Sequence, residues 1–172
     1  MPDQERVTRS ELSGSITSIS RPRQLPILPR RIWSDDDWER IQLGYTAQDM
    51  DEKWIVFAEG DVVFLHRSWT GDGVYEATFA SVDGGRQITR AVTQRMRFRA
   101  IRRRLSKRFR GDDEWHCLLL ELVLSAIVLG EPANELRTKQ LELIRERIQG
   151  SEIPAGAVVH NILGTRSDPW RR

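Results

Sequence analysis

A single cysteine, Cys117, leaves this 172-residue chain without an intramolecular disulfide, and residues 1–30 hold no cationic-then-apolar leader. Both absences point to a reducing compartment, and the cytoplasm is the expected location. Charge of one sign is also missing: 27 Lys and Arg oppose 25 Asp and Glu, for a formal +2, so only the distribution of charge can identify a partner. The longest apolar run, Trp115 to Leu129, is too short for an ordinary bilayer span and carries His116 and Glu121, so no transmembrane segment is expected. Metal-ligand sets are lacking too. His116, Cys117 and a lone His160 are too few for zinc, and Asp49, Asp51 and Glu52 lack EF-hand spacing, so neither a metal nor another cofactor is expected.

What remains is one domain with tails. Residues 1–31 mix Ser, Thr, Arg and four prolines without helical or strand period, which predicts a mobile N-terminal arm. Ser34 followed by Asp35, Asp36 and Asp37 has the form of a helix start, and a short helix carrying Trp38 and Ile41 should end near Gly44. From Trp54 the period becomes that of strands. Trp54–Ala58 and Val62–Arg67 form a hairpin, and the length of its loop decides whether His66 faces Ile55 or Trp54. Val74–Ala80 and Gln87–Thr93 complete a four-stranded antiparallel meander, with Tyr75, Ala77 and Phe79 directed inward. Asp112, Asp113 and Glu114 open a helix that is apolar almost all round and stops at Gly130. A second helix runs from about Ala133 to Gln149. The expected fold is α+β: the meander covered on one face by two C-terminal helices and the short N-terminal helix, a single domain over residues 32–150. Residues 151–172 form an extension, partly packed and then loose.

The densest set of chemical handles is His66-Arg67-Ser68-Trp69-Thr70-Gly71-Asp72-Gly73, between the second and third strands of the meander. Arg67 offers a planar cationic fork, Ser68 and Thr70 offer hydroxyls, Trp69 a stacking face, and the glycines a backbone that a ligand can approach. With Lys53, Trp54 and Tyr75 nearby, the set suits a small anionic or nucleotide-like ligand, or a protein partner. The bland reading weighs equally: Thr-Gly-Asp-Gly is turn chemistry, Trp69 closes the end of the sheet, and Arg67 pairs with Glu76 or Asp51. The pattern is no P-loop, since a strand follows it where a phosphate loop opens a helix. His66 beside Ser68 suggests a base and a nucleophile, but no third orienting group is evident, so catalysis ranks below binding.

A second feature is basic. Arg95, Arg97, Arg99, Arg102, Arg103, Arg104, Lys107, Arg108 and Arg110 place nine cations in sixteen residues, interleaved with Met96, Phe98, Ile101, Leu105 and Phe109. Nucleic-acid binding through this segment is the alternative reading, weighed against a solvated connection that offsets the acidic helix start.

Met50-Asp-Glu-Lys-Trp54, Leu65-His-Arg-Ser-Trp-Thr-Gly71 and Val74-Tyr-Glu76 together resemble an uncharacterised bacterial family of small proteins and fused modules built around an M-x-x-K/R-W … H-R-S-W-T-G … Y-E pattern. The resemblance spans about Trp38 to Pro132. It implies the company of ADP-ribose-processing proteins, hence a ligand bearing phosphates and a base, and it transfers no reaction. The Arg95–Arg110 segment departs from that pattern.

Overall fold

The computed structural model describes residues 5–95 and 112–166. The hairpin forms with a two-residue loop. Strands β2 (Trp54–Glu59) and β3 (Val62–Arg67) pair antiparallel with Glu59 opposite Val62, and Gly60 takes φ 58° in the turn. His66 therefore lies opposite Ile55, and the faces follow by alternation: Trp54, Val56, Ala58, Val63 and Leu65 on one side, Ile55, Phe57, Phe64 and His66 on the other. Strands β4 (Gly73–Val82) and β5 (Gly85–Gln94) extend the sheet, and Tyr75, Ala77 and Phe79 are buried on the first face as expected.

Two details of the expected architecture need correction. Among the described residues the sheet has five strands, in the order β1-β5-β4-β3-β2, because β1 (Pro22–Gln24) pairs antiparallel with the outer side of β5. Three residues are too few to display an alternation, and proline is tolerated at the start of an edge strand, where its missing N–H costs least. Three helices rather than two follow the sheet among the described residues. They are α2 (Asp113–Leu122, continuing through a π-helical stretch Val123–Val128), α3 (Asn134–Arg147) and α4 (Ala155–Ile162). With only eight residues, α4 has too few turns to stand out as a period in the sequence. Val158 and the following Leu163 anchor it in the core.

The other helix boundaries have visible causes. α1 (Asp35–Leu43) starts at Ser34, whose hydroxyl accepts from the Asp37 amide while the Asp37 carboxylate accepts from the Ser34 amide; it ends at Gly44, φ 84°. Asp112 caps α2 by accepting from the Trp115 amide. From Leu118 to Leu129 every residue except Glu121 is buried, which accounts for a helix apolar on nearly every side. Its terminal carbonyls are satisfied by arginines from elsewhere: Arg166 donates to Ile127 and Val128, and Arg40 to Leu129.

The first face of the sheet packs on these helices, with Trp33 and Trp38 against Phe79 at ring separations of 5.4 and 4.8 Å. On the second face the Arg9 guanidinium lies 5.0 and 4.7 Å from the Phe57 and Phe64 rings and holds Glu59 through two bonds of 2.8 and 3.0 Å. Arg9 belongs to the segment for which the sequence predicts a mobile arm. In that segment the Val7 amide also donates to Leu43, Thr17 pairs with Asp72, and Leu25 is buried in the core. In the C-terminal extension Gly164 bridges to Glu52, and residues 167–172 lie outside the described residues.

Candidate functional site

The β3–β4 loop closes on itself. The Gly71 amide donates to the Arg67 carbonyl, the Arg67 amide to the Asp72 carbonyl, and the Asp72 amide to the Thr70 hydroxyl. Gly71 has φ 71°, a left-handed conformation natural to glycine. Buried His66 bonds the Gly71 carbonyl through Nδ1 at 2.9 Å; since a carbonyl only accepts, the hydrogen sits on Nδ1. Burial chiefly lowers the pKa of this imidazole, against the opposing pull of that bond, and its ring stacks on Phe57 at 5.5 Å. His66 thus holds the loop's backbone.

The remaining residues expected at the site divide into two groups. Arg67 turns toward the C-terminal end of α4, donating to the carbonyls of Ile162 (2.7 Å) and Asn161 (2.8 Å) with its guanidinium 4.8 Å from the Trp54 ring. A cation on the last carbonyls of a helix is favoured by the helix dipole. The buried Trp54 indole donates to the same Ile162 carbonyl, the Ser68 hydroxyl to the Glu52 carbonyl, and Tyr75 is buried with its hydroxyl on His116. These groups fasten the loop and α4 to the sheet.

Trp69 points out. It is 63% exposed, and its indole N–H donates to the Met50 carbonyl at 3.2 Å. The Lys53 ammonium donates to that carbonyl at 2.5 Å and lies 4.6 Å from the Trp69 ring centroid, so an otherwise buried lysine supports one side of the indole. Met50, whose carbonyl receives both bonds, is itself 67% exposed. The sequence reading omits Met50 from the site, although its place in Met50-Asp-Glu-Lys-Trp54 is the signal that finds it. Flanking Met50 in the chain, the Asp51 carboxylate lies 3.2 Å from His160 Nε2, and the Asp49 carboxylate accepts from the amides of Asp51 and Glu52.

A second polar cluster joins the sheet to α2. The Tyr75 hydroxyl lies 2.8 Å from His116 Nδ1, near Arg23, which pairs with Asp113 at 2.6 Å. Burial, reinforced by Arg23, lowers the His116 pKa to about 4, so the ring that meets the tyrosine hydroxyl at Nδ1 is neutral. Burial first, then Glu121 and Glu114, pushes the Cys117 thiol up to about 11, the direction of an unreactive sulfur. Among the described residues no three His, Cys, Asp or Glu side chains gather as a metal site. Of the basic segment only Arg95 is described, its amide donating to Arg21; Arg97, Arg99, Arg102, Arg103, Arg104, Lys107, Arg108 and Arg110 lie outside the described residues. No helix among the described residues is long and apolar enough to cross a membrane. No family model, curated protein or solved structure matches the chain.

Proposed function

We propose that the protein is an accessory binding module that grips a protein partner through Trp69 and Met50. The observation that carries this reading is the exposure of Trp69 and Met50 where the indole N–H and the Lys53 ammonium share the Met50 carbonyl, with the ammonium against the indole ring. Tryptophan and methionine are enriched in protein contacts, and an indole whose orientation is already fixed loses little freedom on binding. The anionic or nucleotide-like ligand is less well supported. Arg67 and Ser68 are engaged with backbone carbonyls, and a phosphate would have to draw the guanidinium off the end of α4.

A photoactivatable methionine analogue at position 50 labels what this surface touches in cells, and the labelled polypeptide is then purified and titrated against the protein. Trp69→Ala is expected to weaken that affinity by about 30-fold, the scale of a binding hot spot. Titration with ADP-ribose, NAD and mononucleotides covers the small-ligand case. Heat of binding that disappears in Arg67→Ala and survives in Trp69→Ala overturns the proposal.

A further inference from the structure

The loop that carries Trp69 is built against the N-terminal segment as closely as against its own sheet. Thr17 donates to the Gly71 carbonyl and accepts from the Gly73 amide, both at 2.8 Å, bracketing the end of the loop. The Gly71 carbonyl therefore receives two donors, Thr17 from the segment and His66 from the sheet. At both glycines the segment comes close to where a side chain would stand. A Cβ on Gly71 would lie 1.9 Å from the Ser15 carbonyl oxygen, and one on Gly73 would lie 3.0 Å from Ile19 and from the Thr17 carbonyl. At its other end the segment is fastened by Arg9 on Phe57, Phe64 and Glu59. Beside that anchor lies an open cavity of about 540 Å³ lined in part by Arg6, Arg9, Ser13, Ala58 and Glu59. Most residues from 5 to 20 are exposed and none is fully buried, the profile of a region that opens at a small fraction of the global unfolding free energy.

We propose that residues 5–20 form a displaceable strap that holds the Trp69 loop in its binding shape, so that releasing the strap withdraws the contact surface. This regulation rests on the reading of Trp69 and Met50 as the contact. The strap acts through backbone: once Thr17 leaves, among the described residues the Gly71 carbonyl keeps only His66 and the Gly73 amide loses its Thr17 acceptor, and both flank the turn that aims the indole.

Hydrogen exchange on the full-length chain tests the coupling without any partner. Thr17→Pro removes the donor to Gly71, and Arg9→Ala releases the distant anchor. In both, the Ser68 and Gly71 amides, which bond only to sheet and loop, are expected to exchange on the order of tenfold faster. Acrylamide quenching of Trp69, taken as the difference from Trp69→Phe, should change in parallel. Faster exchange at Gly73 alone, with Ser68 and Gly71 at wild-type rates, overturns the proposal. If Thr17→Pro loosens core amides as well, Arg9→Ala decides, because its side chain lies outside the core. These readouts separate the two claims. A coupled strap with a partner affinity indifferent to Trp69→Ala refutes the contact, whereas an uncoupled strap with an affinity sensitive to Trp69→Ala refutes the regulation.

Discussion

Acidification should destabilise this fold through His116 before most carboxylates titrate. In the native protein the ring is neutral and shares a hydrogen bond with the Tyr75 hydroxyl at Nδ1, with Arg23 close enough to disfavour a second cation. Protonation adds a charge to a buried ring beside a guanidinium. A folded pKa of about 4 against an unfolded value of 6.5 means that the unfolded chain binds the proton first as pH falls. Stability from this group is therefore complete above pH 6.5 and declines as pH drops toward 4. The gap corresponds to at most about 3 kcal/mol, of which about 2 kcal/mol is gone by pH 5. Urea unfolding of wild type and His116→Gln between pH 7.5 and 4.5 measures the difference directly, since carboxylate titration is common to both proteins. The two stability curves should converge on acidification. Curves that stay parallel across this range would show that His116 titrates alike in folded and unfolded chains, and the account of its environment would fail.

Among the described residues Gln140 is buried with no partner for either amide atom, so Gln140→Met should raise stability by about 1–3 kcal/mol, read as a higher urea midpoint at constant slope; a loss of stability would show that the amide is hydrogen bonded. Arg67→Ala removes two charge-assisted bonds from the end of α4 and should cost about 2–3 kcal/mol in thermal or urea unfolding, whereas Trp69→Ala should stay within about 0.5 kcal/mol of wild type. The reverse ranking would contradict the division between fastening and contacting residues. Gly71→Ala meets both a left-handed backbone, worth about 1–2 kcal/mol, and the Ser15 carbonyl. It should raise protease sensitivity in residues 5–20 before it lowers the unfolding midpoint, and an unchanged cleavage pattern would argue against the close approach.

The parts of this fold that were legible in the sequence are those specified by neighbours in the chain. Ser34 with Asp37, the alternation of Tyr75, Ala77 and Phe79, and the glycine turns at Gly60 and Gly84 each carry their cause within a few residues. The parts that were not legible depend on partners far away. β1 is a strand only because β5 offers an edge to Pro22–Gln24, and Arg9 is placed by Phe57 and Glu59 some fifty positions later. The same distinction divides the candidate site. His66–Gly73 reads locally as a set of free polar groups, yet Arg67 is taken by α4, Ser68 by Glu52 and His66 by the turn itself, all through backbone carbonyls that composition does not reveal. Trp69 remains outward, its only polar atom satisfied by Met50 and one side of its ring supported by Lys53, with 63% of its surface left exposed. On the proposed reading, a loop this closely fastened that presents its least soluble side chain to water would hold that side chain in place for a partner, whereas an indole serving only to seal the sheet would be expected to be buried.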